Sequence, residues 1–238
     1  MTMNSAINAT ATAQTKARYN RIAPVYDSME GMMERRFRDW REKLWAQASG
    51  DILEVGTGTG KSMPYYPQDA HVIAIDLADQ MLARARERAC ELGLTVDLRE
   101  GDVQALDFSD ATFDTVVATF VFCSVPDPVL GLRELGRVVK PEGKILLLEH
   151  VRLDYPIIGW AMDLLSPLTV RLWGANINRR TVENVRRAGL EAESIVDLGP
   201  MGMVKAIVAR PRQQGPLQGE VNQQLIVEDA SVSTVLQS

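Results

Sequence analysis

Nine consecutive residues hold the densest run of positions that could do chemistry: Glu54-Val55-Gly56-Thr57-Gly58-Thr59-Gly60-Lys61-Ser62. Glycines at alternate positions after a short apolar run let the backbone turn sharply and approach a ligand closely. Two phosphate-binding readings fail on spacing. A P-loop needs a glycine five residues before the glycine of Gly60-Lys61-Ser62, and Val55 stands there. A dinucleotide fingerprint needs G-x-G-x-x-G, whereas this loop reads G-x-G-x-G with Lys61 where the third glycine would fall. Charge points the same way. Glu54 at the strand end repels a pyrophosphate but suits a ligand carrying an ammonium or sulfonium group.

Other candidates are sparser. The chain has two histidines, His71 and His150. His71 begins an apolar run, at the wrong end of a strand for chemistry. His150 ends one, where it is either a general base for an amine, phenol or thiol, or a satisfied structural group. Asp163 and Arg180 are weaker candidates. Arg84, Arg86 and Arg88, interleaved with Glu87 and Glu91, read as a solvated helix face. Cys90 and Cys123 make neither a disulfide framework nor a zinc site, and no motif asks for a metal.

The elements that must position these residues alternate. Apolar runs at 52–55, 71–76, 95–98, 113–121, 144–150, 194–198 and 204–209 predict seven strands. Helices are expected over 78–92, ended by Gly93, over 128–139 before Pro141, and over 181–188. Strands separated by such helices imply an α/β fold, a Rossmann-like, mostly parallel seven-stranded sheet covered on both faces. Its ligands bind beyond the carboxyl ends of the strands.

An amphipathic helix is expected before the first strand. Met29, Met33, Phe37, Trp40 and Leu44 share a stripe, with Arg35, Arg36, Arg38, Arg41 and Lys43 facing elsewhere. It either packs on the sheet and caps the cleft or docks on an anionic membrane. The nearly apolar stretch 156–173 holds two charges, Asp163 and Arg171, which suits a cap over the acceptor site better than a membrane span.

At 238 residues, with 46% apolar and 24% charged residues, the composition is that of a globular protein. One domain is expected at 16–210, between a small, polar flexible tail at 1–15 and a Gln-rich flexible tail at 211–238. Net charge −5, from 26 basic and 31 acidic residues, argues against a nucleic-acid partner. Residues 1–15 lack a signal peptide's basic and apolar regions, so a cytoplasmic location is expected, with peripheral membrane contact left open.

Five motifs in order resemble those of the class I S-adenosylmethionine-dependent methyltransferases: Glu54-x-Gly56-x-Gly58-x-Gly60, Asp76 at 22 residues after Glu54, Gly101-Asp102-Val103, Phe113-Asp114-Thr115-Val116-Val117, and Arg137-Val138-Val139-Lys140-Pro141-Glu142-Gly143. The resemblance implies S-adenosylmethionine as cofactor. Asp76 would then accept the ribose hydroxyls and Asp102 the adenine amino group. Alone, Asp76 reads equally well as a helix cap. Thr57, Leu77, Met81, Val103 and Thr119 join Glu54 and the three glycines as expected cofactor contacts. Residues 19–27, with Tyr19, Asn20, Tyr26 and Asp27, and Ser124-Val125-Pro126-Asp127 are similar to segments of the branch that methylates quinone rings and phospholipid amines. Tyr19 and Tyr26 are therefore expected at the cofactor. The acceptor is expected to be a lipophilic or small molecule, best read as a phosphatidylethanolamine-type amine. Quinone-ring carbon, a small thiol, or a non-catalytic cofactor-binding subunit are the alternatives.

Overall fold

In a computed structural model, which describes residues 3–153, 155–173, 176 and 178–212, seven strands form one sheet. They are β1 (Asp51–Val55), β2 (His71–Asp76), β3 (Asp97–Glu100), β4 (Phe113–Thr119), β5 (Val139–His150), β6 (Leu190–Leu198) and β7 (Val204–Pro211). Their order is β3-β2-β1-β4-β5-β7-β6, parallel except for β7, which runs antiparallel to both neighbours. The helices are α1 (Met3–Ile22), α2 (Tyr26–Trp45), α3 (Asp79–Leu92), α4 (Pro128–Val138), α5 (Pro156–Trp173) and α6 (Thr181–Arg187).

Continuous apolar runs become strands buried on both faces because successive side chains alternate across the sheet. Leu53, Val55, Ile73, Ile75, Ile145 and Leu147 pack on Leu132 and Leu135 of α4 and Val185 of α6. Ile52, Val72, Leu146 and Leu148 pack on Leu44 and Trp45 of α2. Local signals end the helices as the residue types dictate. Asp127 caps α4 by accepting from the amides of Val129 (3.1 Å) and Leu130 (3.0 Å), and Pro128 sits where no amide is needed. Gly93 takes a left-handed conformation (φ 65°) after α3, and Leu94 N–H closes on the Ala89 carbonyl at 2.9 Å.

Four expectations change. Residues 1–15, read as a flexible tail, belong to α1, so the domain does not start at 16. Alanine- and glutamine-containing sequence favours a helix here, and polar contacts dock it together with Tyr19 and Ile22, which pack with Ala78 and Met81: Asn20 donates to Asp79 (2.8 Å) and accepts from the Gln80 amide (3.1 Å), and Lys16 pairs with Glu100. Strand β3 lies two residues later than its apolar run, as an outer strand needs less burial. Strands β5 and β6 begin earlier than expected, at Val139 directly after α4 rather than at 144, and at Leu190 rather than at 194. The tail expected at 211–238 falls almost wholly outside the described residues, as do the side chains of Met29, Met33 and Arg35.

Helix α5 has the expected bounds, and several of its described apolar side chains face outward. Asp163 pairs with Arg152 (2.8 Å), and Asn178 bonds both Asp163 (3.1 Å) and the buried Ser166 (3.0 Å). Ile157, Trp160 and Leu164 are 82%, 65% and 63% exposed. Among the described residues no helix is long and apolar enough to cross a membrane.

Candidate functional site

The carboxyl ends of β1, β2 and β4 border a cleft of about 940 Å³, counting the space open to solvent. Its floor is the glycine loop. Gly56 is left-handed (φ 67°), and a Cβ there would meet the Val121 side chain at 2.5 Å. Gly58 is also left-handed (φ 57°), but nothing lies within 4 Å of its Cβ direction, so its requirement is conformational and its surroundings are open. Asp76 anchors this loop. Its carboxylate accepts from Gly58 N–H and Ala78 N–H, each at 2.8 Å. Burial raises the Asp76 pKa, against the pull of those amides. The helix-cap and ligand readings of Asp76 are thus compatible, since two amides leave a carboxylate with spare lone pairs.

Asp102, at the turn after β3, accepts from the Gln104 amide (2.9 Å) and from the Gln104 side chain (3.1 Å). Thr12 of α1 reaches its other oxygen at 3.5 Å. Thr15 and Tyr19 of α1 also line the cleft, so the helix expected to be a tail covers this end. Tyr19 is buried, which pushes its phenol well above the ordinary range. Tyr26 sits 6.4 Å from Tyr19, ring to ring, with the Lys61 ammonium 5.4 Å from its centroid. Next to it, Asp27 ties α2 to the glycine loop and α3. It accepts from the Thr59 hydroxyl (2.6 Å) and Arg88 (2.5 Å), with Lys61 at 3.6 Å. Burial opposes ionisation of Asp27, but these partners together hold its pKa below the usual value.

The cleft gathers Tyr19, Tyr26, Gly56, Thr57, Gly58, Asp76, Leu77, Met81, Asp102, Val103 and Thr119 from the expected set. Glu54, Gly60 and His150 are not among its lining residues. Glu54 is buried beneath it and accepts from the Tyr66 hydroxyl, with its pKa raised by burial. Gly60 packs its backbone against Met63 instead. The His150 ring stacks on Phe120, centroids 4.5 Å apart, and meets Phe37 edge-on at 5.9 Å. Phe120 is the ring that faces the cleft. Nor does any described residue of α5 line it, contrary to the expected apolar cap.

Among the lining residues that sequence reasoning missed, besides Thr15, are Arg41 and Phe120. Arg41, expected to face away from the apolar stripe of α2, is 4% exposed, its guanidinium 5.7 Å from the Phe120 ring and 5.9 Å from Phe37. It sits one residue after Trp40, so the helix's apolar stripe is wider than its apolar residues suggest. Phe120 adopts φ 58°, a conformation costly for a bulky side chain, and nothing in its residue type announces this. The Thr119 hydroxyl beside it is buried and has no partner among the described residues.

Comparison with known proteins follows this geometry. A family described as a methyltransferase domain matches residues 53–147. A phosphatidylethanolamine N-methyltransferase of Cereibacter sphaeroides is 45% identical over 107 residues, 44% of this chain and 53% of that one. The chain thus spans about half the length of that relative. A demethylmenaquinone methyltransferase of Lactobacillus johnsonii is 32% identical over 174 residues, 67% of this chain and 71% of that one. Among solved structures, a SAM-dependent methyltransferase from Thermotoga maritima superposes with a TM-score of 0.63 at 19% identity, covering 82% and 99% of the two chains. That likeness is one of fold.

Proposed function

The chain belongs to the class I S-adenosylmethionine-dependent methyltransferases, and from that premise we propose that it methylates a lipophilic acceptor, best read as a phosphatidylethanolamine-type amine. The observation that carries the reading is the buried Thr119 hydroxyl, unpartnered among the described residues, in a cleft that also presents the open backbone at Gly58 and the carboxylates of Asp76 and Asp102. This set fits an adenosine-type ligand with a charged end. Asp76 would receive the ribose hydroxyls and Asp102 the adenine amino group, each with lone pairs to spare. Arg41 offers a cation to the cofactor's carboxylate, and Glu54 lends a negative field from beneath the loop.

S-adenosylmethionine, when bound, supplies a methyl group on a sulfonium that is already a good leaving group. The protein's remaining work is to align an acceptor and keep water out. Tyr19 and Thr15 cover one end of the cleft, while Phe120, Val121 and Val125 form an apolar wall at the other. That wall suits a greasy acceptor. The outward stripe of Ile157, Trp160 and Leu164 on α5 adds support for an acceptor held in a lipid surface, because an aromatic and aliphatic stripe gains by entering the headgroup boundary. Quinone-ring methylation is the second reading, favoured by the likeness to the demethylmenaquinone enzyme.

Incubating the protein with labelled S-adenosylmethionine and separate pools of phospholipids, quinones and thiols, followed by mass spectrometry, tests the proposal. Label on phosphatidylethanolamine is expected. Label only on a quinone or a thiol replaces the acceptor assignment. Cofactor binding with no labelled product in any pool supports a non-catalytic subunit instead.

A further inference from the structure

Phe120 holds a left-handed backbone conformation at the mouth of the cleft, and strain of that kind persists only where the surroundings over-determine it. The restraints can be named. Phe120 N–H donates to the Leu148 carbonyl at 2.7 Å. The next two amides, Val121 and Phe122, both donate to one oxygen of Glu149, at 2.8 and 3.1 Å. The Cys123 thiol donates back to the Phe120 carbonyl at 3.4 Å. Further along, Asn176 donates to the Cys123 carbonyl (2.9 and 2.8 Å), and Arg179 to that of Val125 (2.7 Å). Glu149 alone grips the turn's two consecutive amides, and it does so from the face of the sheet opposite Phe37 and α2.

We infer that Glu149 is a positioning residue: its side-chain oxygen locks the Phe120–Phe122 turn and so sets the wall of the cleft that Phe120 and Val121 form. The turn contributes Phe120 and Val121 to the lining, and Val121 is the side chain pressed against Gly56. A released turn therefore moves the wall and unseats the glycine loop together. Glu149 is fully buried, and its second oxygen has no partner among the described residues. The charged and titratable groups around it are Cys123 on the turn, Arg179 ahead of α6, and its register partner Lys205 on β7, whose ammonium is held by Asp197. A buried carboxyl with so little compensation is costly to keep, as its pKa, raised by burial to about 8, attests. Its grip on the two amides is the return for that cost.

The two cysteines supply a direct readout. Cys90 is exposed and Cys123 is buried on the turn, so a thiol reagent is expected to label the parent protein in one fast and one slow phase. Glu149→Leu keeps the volume and removes the acceptor, whereas Glu149→Gln keeps a carbonyl oxygen in place. Losing two amide bonds should speed Cys123 labelling roughly tenfold or more in Glu149→Leu and weaken S-adenosylhomocysteine binding by a similar factor. Glu149→Gln should stay within about threefold of the parent in both, since neutral acceptors retain most of such a bond. Cys90 should be unaffected throughout. Parent-like Cys123 labelling in Glu149→Leu overturns the inference, and so does a Glu149→Gln variant as impaired as Glu149→Leu. Should Glu149→Leu not fold, Glu149→Asp, which withdraws the oxygen by one methylene, is expected to show the fast Cys123 phase, and a slow phase there overturns the inference as well. The affinity arm rests on the methyltransferase reading. A parent protein that fails to bind S-adenosylhomocysteine would defeat that reading, while the cysteine arm, which needs no ligand, still decides the role of Glu149.

Discussion

Glu54 and Glu149 lie near the carboxyl ends of β1 and β5, the two strands that flank β4, and both are almost wholly buried. Alternation puts them on opposite faces, Glu54 toward α2 and Glu149 toward α4 and α6. Burial raises the pKa of each. What they hold differs. Glu54 accepts from a side chain, the Tyr66 hydroxyl, whose ring packs 4.6 Å from Trp45. Glu149 accepts from main-chain amides of a turn that lines the cleft. One carboxyl therefore braces the packing beneath the glycine loop, and the other fixes a backbone shape. A buried charge is tolerated in both places, but only the second translates directly into the outline of the cleft.

The largest expected effect comes from the α2 side. Glu54→Ala strands the buried Tyr66 hydroxyl and opens a cavity, and should lower the unfolding free energy by about 2–4 kcal/mol in urea titration. A loss under about 1 kcal/mol would mean that Glu54 is a passenger and that the two carboxyls do not divide as described.

Next comes pH. The usual carboxyl value for Glu149 is 4.5 and its folded value about 8. Below the lower value both folded and unfolded chains keep the proton. Between the two, the unfolded chain releases it first, so this group's contribution to stability falls as pH rises, and levels off above the upper value. Glu149→Gln should flatten that decline, by up to about 3 kcal/mol at pH 8, in unfolding titrations taken from pH 5 to 8.5. Parallel curves for parent and variant would contradict the burial cost assigned to Glu149.

Asp76 tests whether a third strand-end carboxylate, one that lines the cleft, behaves as neither of these two. Asp76→Ala should cost about 1.5–3 kcal/mol in S-adenosylhomocysteine affinity by isothermal titration, as charged acceptors do. NAD should not bind to either form. Unchanged affinity in a folded variant removes Asp76 from the ligand site.

The smallest effect is expected at His150, neighbour of Glu149 on the opposite face. Its ring lies against Phe120 and Phe37 rather than in the cleft. His150→Ala should then change kcat by less than about threefold, well short of the hundredfold or more lost with a general base. A drop of that larger size, with loss of an acidic limb near pH 6.5 in the rate profile, would restore the base assignment.

These contrasts show what was legible in the residues. Apolar runs located the inner strands well, because strands buried on both faces need such runs, whereas the outer β3 and β6, largely exposed, were placed less closely. The glycine loop, Asp76 and Asp102 stood out because their chemistry depends on spacing along the chain. Arg41, Phe120 and Glu149 did not, since each acts through a neighbour distant in sequence: Arg41 through Phe120, Phe120 through its turn, Glu149 through two amides some 27 residues earlier. Helix α1 was hidden for a related reason. Its apolar contacts come from Tyr19 and Ile22 near its end, and its docking through Thr12, Lys16 and Asn20 uses residues that look solvated in one dimension.

Helix α1 has a practical consequence for handling the protein. It carries Thr15 and Tyr19 over the cleft and reaches Asp102 through Thr12. An affinity tag fused ahead of it would extend from the element that covers the adenine end, and could mimic an inhibitor or pry the cover off. Strand β7 runs antiparallel to β5, so its last residue, Pro211, leaves the sheet at the edge away from the cleft. Comparing ligand affinity with and without a tag fused ahead of α1 measures how tightly that helix closes.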